Sequence, residues 1–176
     1  MSTAKHVSEL MNALYQRDQS RIEELLAGDP ELSSFERAAL GRALDPPTSG
    51  ALKDRSADGF SCLHLACFFG HVDSARTLIT HGADVNAPAD NPSQVQPLHS
   101  AAAARSVAIV SLLLEHGAQP NARQHGGWTA LHAACMHADE PMVRTLLEHG
   151  ADLDQAADDG QTARSMAADK PNLLPA

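Results

Sequence analysis

No stretch of this chain is apolar for the roughly eighteen residues that a membrane-spanning helix needs. Its start, MSTAKHVSELMNAL, lacks the continuous apolar segment and small-residue cleavage site of a signal peptide. Cysteine is scarce as well. Cys62, Cys67 and Cys135 are odd in number and form no CxxC pair, which argues against a disulfide framework and for a reduced, cytoplasmic setting. Positive charge is short: 13 Lys+Arg against 22 Asp+Glu leave a formal net charge of −9, with no basic stripe to offset it. That balance argues against a nucleic-acid binder and mildly favours a partner with basic patches. Catalytic patterns are missing too, with no serine–histidine–acid grouping, no paired carboxylates, and a Gly126-Gly127 turn without the rest of a phosphate loop. No enzyme and no cofactor are expected. Aromatics are the last shortage, at 4 Phe, 1 Tyr and 1 Trp. Against it the adjacent pair Phe68-Phe69 in GFSCLHLACFFGH raises a question, because neighbours on a helix point about 100° apart and do not share one buried face.

What is present suits one folded domain. At 176 residues, 43% hydrophobic and 20% charged, the chain can bury a real core. It holds 31 alanines and ten arginines to three lysines, a bias in keeping with a GC-rich bacterial genome.

The dominant signal is self-similarity. SCLHLACFFGHVDSARTLITHGADVNA begins at Ser61, QPLHSAAAARSVAIVSLLLEHGAQPNA at Gln96 and TALHAACMHADEPMVRTLLEHGADLDQ at Thr129. Leu-His falls at 63–64, 98–99 and 131–132, and His-Gly-Ala at 81–83, 116–118 and 149–151, so both markers step by 35 and then 33 residues. A degraded fourth copy follows in DDGQTARSMAADK.

Each copy predicts a first helix (62–69, 97–104, 130–137) and a second with apolar residues at helical spacing, as in Val107, Val110, Leu113 and Leu114. Pro97 suits a first helical turn. Gly82, Gly117 and Gly150 suit helix ends, with His81, His116 and His149 beside the negative pole of the helix dipole. Asp58-Gly59, Gly126-Gly127 and Asp159-Gly160 predict tight turns.

These residues resemble the ankyrin repeat, with its TPLHLAAxxGH first helix, LL-containing second helix and GAdvNa loop. The resemblance covers residues 56 to 156 and, in part, 157 to 170. Departures are Cys62 and Ala130 for proline, Ser106 and Asp139 for the second histidine, and Arg164-Ser165 for Leu-His. The family implies an all-α protein, an α-solenoid of stacked helix-turn-helix repeats with projecting β-hairpin-like loops, whose concave face binds proteins. It also implies that the Leu-His imidazole ties its turn together through both ring nitrogens.

The organisation expected is a capping helix pair plus an irregular unit over 1–55, repeats at 56–88, 89–123 and 124–156, and a truncated capping repeat over 157–176. The first helix pair breaks at Arg17-Asp18 and ends at Gly28-Asp29-Pro30; Ala13 and Leu25-Leu26 take first- and second-helix places. FERAALGRAL gives another short helix. DPPTSGALKDRSADG is Pro/Gly/Ser-rich and reads as a loop. No second helix fits before Pro171, and Leu173 and Leu174 fold back over the open end. The segment APADNPSQVQ carries two extra residues, which either enlarge a recognition loop or are simply tolerated.

Ten histidines invite a metal site. Equivalent positions such as His64, His99 and His132 are a helix spacing apart, about 8–10 Å, too far to share one ion. His125 and His137 could approach each other, a weaker alternative for a metal- or ligand-handling protein. The cysteines read as small buried thiols.

Register answers the phenylalanine question. The resemblance to the ankyrin pattern implies that the last residues of the first helix and the residue after the turn glycine face the concave groove. These places hold Phe60, Phe68 and Phe69, then Val95, Ala103 and Ala104, then Trp128, Met136 and His137. Ala103 and Ala104 form a shallow floor between two raised patches. Arg105, Arg123, Asp58 and Lys170 supply a polar rim, with His125 beside it. Such a stripe either stabilises the loops or binds a partner. The expectation is a protein-binding scaffold or adaptor, monomeric, with an unidentified protein partner; self-association is the other alternative.

Overall fold

The computed structural model describes residues 2–28, 30–43, 46–170 and 172–174, with the side chains of 2–8 left aside. Asp29 and Pro171, used above as punctuation, lie outside the described residues. Among those described, eleven α-helices follow in order: α1 (Ser2–Gln16), α2 (Gln19–Leu26), α3 (Ser34–Ala39), α4 (Ser49–Lys53), α5 (Cys62–Phe68), α6 (Val72–Thr80), α7 (Pro97–Ala103), α8 (Val107–Glu115), α9 (Ala130–Met136), α10 (Glu140–Glu148) and α11 (Ala163–Met166). First helices pack in one row, α1 on α3, α3 on α5, α5 on α7, α7 on α9 and α9 on α11; second helices α6, α8 and α10 form a row behind them. This is the expected all-α solenoid.

Small residues make the close stacking possible. Ala66, Ala101 and Ala134 are buried where one first helix meets the next, and Leu63, Leu98 and Leu131 fill the layer between rows. Fully burying one such leucine is worth roughly 2 kcal/mol.

One stretch departs from expectation. The Pro/Gly/Ser-rich segment before Gly59 holds α4, five residues long, because Thr48 accepts the Ala51 N–H at 3.2 Å as an N-cap and Ala51 buries its methyl. The first helices also stop a residue early, leaving Phe69, Ala104 and His137 as C-caps. Among the described residues α11 is followed by turns and a bend, and Leu173 is buried in the core.

Each projecting loop closes on one backbone hydrogen bond: Ser56 N–H to the Phe60 carbonyl (2.8 Å), Ala89 to Val95 (2.8 Å), Gln124 to Trp128 (3.0 Å) and Ala157 to Gln161 (2.8 Å). Neighbouring loops are tied tip to tip. Asp90 N–H donates to the Gly59 carbonyl (2.8 Å), His125 to Ser93 (2.9 Å) and Asp158 to Gly126 (2.9 Å). The two-residue insertion therefore has a structural place: Ser93, inside the widened loop, accepts the bond that a turn glycine accepts elsewhere. Gly59 has φ +86°, and a Cβ there would collide with the Asp90 carbonyl.

The repeated histidines are inter-module ties. Backbone N–H groups of Ser61, Gln96 and Thr129 donate to Nδ1 of His64, His99 and His132. Nε2–H of the same rings donates forward, to the carbonyls of Val95 (2.9 Å), Ala122 (3.0 Å) and Gln161 (3.2 Å). Both nitrogens are used by one neutral tautomer. His81, His116 and His149 each donate from Nδ1 to the carbonyl four residues back at 2.8 Å, closing the ends of α6, α8 and α10. Asn86 and Asn121 form a third tie, donating to the Gly117 and Gly150 carbonyls and accepting from the N–H of Gln119 and Asp152. The next equivalent, Asp154, takes Arg164 in a two-pronged ion pair at 2.6 and 2.9 Å. Thus Arg164, at a position that is leucine in internal copies, is used at the exposed end.

Candidate functional site

Phe60, Val95 and Trp128 are the residues whose carbonyls close the loops, so the backbone beneath their side chains is fixed by hydrogen bonds. Two of them lie over the buried histidine of their own module: Phe60 on His64 at 5.9 Å and Trp128 on His132 at 5.3 Å between ring centres. Val95 occupies that place in the middle module and is half-buried.

At the end of α5, Phe68 is 39% exposed and meets Phe69 edge-to-face at 5.2 Å. Both meet a third ring that the sequence reading left out. Tyr15, in the last turn of α1, lies 6.1 Å from Phe68 and 5.6 Å from Phe69. Its hydroxyl donates to an Asp58 carboxylate oxygen at 2.8 Å. Burial first, and this hydrogen bond second, push the Tyr15 phenol well above its ordinary range.

A backbone hydrogen bond fixes the register of Tyr15. Asp18 N–H bonds the Ala13 carbonyl as His71, Ser106 and Asp139 bond those of Ala66, Ala101 and Ala134. Tyr15 is therefore the counterpart of Phe68, Ala103 and Met136. In the intervening helix α3 the buried Ala39 sits two residues past Arg37, whose carbonyl takes the equivalent bond from Arg42. Its methyl leaves room for the tyrosine and phenylalanine rings to meet across it.

Tyr15, Phe60, Phe68, Leu65, His64 and Ser100 line an apolar cavity of about 130 Å³. The second patch is built differently. Met136 is 52% exposed, His137 and His125 are exposed, and Trp128 is half-buried. Among the described residues no ring contact joins Trp128 to the phenylalanines. Ala103 is exposed and Ala104 half-buried between the two patches.

The expected rim is bound within the chain. Arg105 pairs with Asp139 at 3.4 Å and Arg123 with Asp158 at 2.6 Å, each reaching one module forward. Lys170 donates to the carbonyls of Cys135 and Met166, both at 2.9 Å. Asp58 accepts from Tyr15 and Ser56. The contacts of Arg105, Arg123, Lys170 with Cys135, and Asp58 with Tyr15 bridge neighbouring modules.

Among the described residues no group of three or more His, Cys, Asp or Glu side chains is placed to hold a metal, and His125 and His137 are not brought together in one. All three cysteines are free and buried, and burial pushes the Cys62 thiol up to about 12 and raises Cys67 and Cys135 as well. Among the described residues no helix is long and apolar enough to cross a membrane.

Comparison with known proteins accords with this geometry. Residues 10–124 match the family described as "Ankyrin repeats (3 copies)", and residues 126–158 match "Ankyrin repeat". The B-cell lymphoma 3 protein homolog of Mus musculus is 39% identical over 99 residues, covering 55% of this chain and 22% of that protein. The NF-kappa-B inhibitor cactus of Drosophila yakuba is 37% identical over 87 residues, covering 48% of this chain and 18% of that protein. An ankyrin repeat protein of Acanthamoeba polyphaga mimivirus is 38% identical over 86 residues, covering 49% and 11%. The chain thus spans about a fifth of the length of the first two relatives. These relatives are animal and viral, so the bacterial origin suggested by the alanine and arginine content finds no support; alanine answers here to close helix packing. By its matched residues and its stacked helix pairs, the chain belongs to the ankyrin repeat family.

Proposed function

We propose that this chain is a non-catalytic protein-binding module, a scaffold or adaptor, that receives a segment of another protein on the face made by first-helix ends and loop tips. The residues assigned to the face are Phe60, Phe68, Phe69, Val95, Arg105, Arg123, His125, Trp128, Met136 and His137. One observation carries the reading: Phe68 and Met136 stand exposed at equivalent positions of the first and third repeats, and Phe60, Val95 and Trp128 are half-buried beside them on loops closed by backbone hydrogen bonds. Exposed apolar groups on a rigid support favour association, since little is lost in ordering them. The relatives add to it, one of them being named an inhibitor of NF-kappa-B. Module boundaries at 56, 89, 124 and 157, a monomeric state and a reducing, cytoplasmic setting complete the proposal, the last supported by three free buried thiols.

Affinity capture from cell lysate by the full chain, read by mass spectrometry, tests it. Phe68→Ala with Trp128→Ala and Met136→Ala should lose the captured protein while keeping helical content. Arg76→Ala with Glu115→Ala, on the exposed side of α6 and α8, should keep it. The opposite pattern would remove the proposed face.

A further inference from the structure

We propose that the cavity between Tyr15, Phe60 and Phe68 takes one leucine- or methionine-sized side chain from a partner segment whose neighbouring residues are lysine or arginine. This rests on the protein-binding reading above and names the chemistry of its occupant.

The cavity sets the anchor. Its volume is about 130 Å³, and an apolar cavity of roughly 150 Å³ admits a benzene-sized group. Its walls offer almost nothing to a polar atom. The His64 imidazole has Nδ1 and Nε2 both bonded within the chain, and the Tyr15 hydroxyl is turned to Asp58. Only the Ser100 hydroxyl has no hydrogen-bond partner among the described residues. A buried donor or charge on the occupant would go unpaired, so an apolar side chain is selected. Phe68 forms a lip that an occupant would cover.

Charge sets the flank. Asp58 is tied to the wall by the Tyr15 hydroxyl, and Asp90 is drawn beside it: Asp90 N–H donates to the Gly59 carbonyl, and the Asn91 amide donates to that of Asp58 (2.8 Å). Both aspartates are exposed, and neither has an ion-pair partner among the described residues. The nearby cations are directed elsewhere. Lys53 and Arg55 line a separate depression with Leu52 and Asp84, where Arg55 donates to the Lys53 carbonyl while its charge still reaches His64, and Arg105 is held by Asp139. With a formal charge of −9 overall, the mouth favours a cationic flank and disfavours an acidic one.

The test is selection of a phage-displayed random dodecapeptide library on the full chain, followed by fluorescence polarisation with the enriched peptides. Enriched sequences should share one Leu or Met close to Lys or Arg. Ser100→Leu, which fills the cavity, and Phe68→Ala, which removes its lip, should each weaken binding about tenfold or more. Asp58→Asn with Asp90→Asn, two surface changes that leave the core intact, should weaken it about threefold and flatten its salt dependence. Circular dichroism and a cooperative melt accompany each variant. Enriched peptides without the cationic flank, or binding unchanged by both cavity variants, would overturn the inference, as would a library that yields no binder. If binding instead falls only with Trp128→Ala or Met136→Ala, the face survives and the cavity assignment fails. If no substitution on the face matters, both fail.

Discussion

Phe68 and Met136 occupy the same place in two modules and end in different surroundings. Each sits at the close of a first helix, two residues past a buried alanine, Ala66 or Ala134. Phe68 has Tyr15 reaching over α3 to meet it, with Phe60 opposite, and a cavity results. Met136 follows a module whose counterpart is Ala103, and it stands at the surface without such a wall. An equivalent position therefore acquires its character from the modules before it. The histidine tie is common to both regions; the surroundings of the exposed apolar residue are not.

The largest expected effect tests what the regions share. Leu63→Ala and Leu131→Ala each open a cavity in the same inter-row layer and should cost about 3–4 kcal/mol in urea unfolding. Unequal losses differing by more than about 2 kcal/mol would show that the two modules do not share one scaffold.

Acid should act on the tie in the first of them. Burial lowers the His64 imidazole from 6.5 to about 4, and His99 is shifted down by the same cause. The unfolded chain then takes up the proton before the folded one. The neutral-histidine contribution is whole above about pH 6.5 and is lost as pH falls through about 4, roughly 3 kcal/mol for His64. Urea midpoints measured across that window should fall steadily, and less so in His64→Gln. A flat profile would contradict the buried neutral tautomer.

Separating the regions gives a smaller effect. Phe68→Ala strips two ring contacts and should cost about 1–2 kcal/mol, whereas Met136→Ala, more than half exposed, should stay within about 0.5 kcal/mol. Equal costs would dissolve the contrast. Between these falls Tyr15→Phe, which removes only the bond to Asp58 and should lower stability by about 0.5–1 kcal/mol in thermal melts.

The modular plan was legible because its marks are local: Leu-His and His-Gly-Ala recur at fixed steps, and their histidines make the same bonds in each of the three copies. Tyr15 was not, since the first helix pair carries neither marker and its register shows only in the Asp18-to-Ala13 backbone bond. Arg105 and Arg123 read as rim charges, yet their partners Asp139 and Asp158 stand 34 and 35 residues on, one module ahead. A single copy read alone does not reveal that reach. Composition misled at α4, where Pro, Gly and Ser suggested a loop while one threonine cap and a buried alanine sufficed for a helical turn.

Hydrogen–deuterium exchange of the full chain, free and with a captured partner, addresses the central claim most directly. Protection should gather at residues 58–70 and 125–138, with 72–80, 107–115 and 140–148 unchanged. Protection confined to those second helices would place binding on the opposite surface and contradict the account.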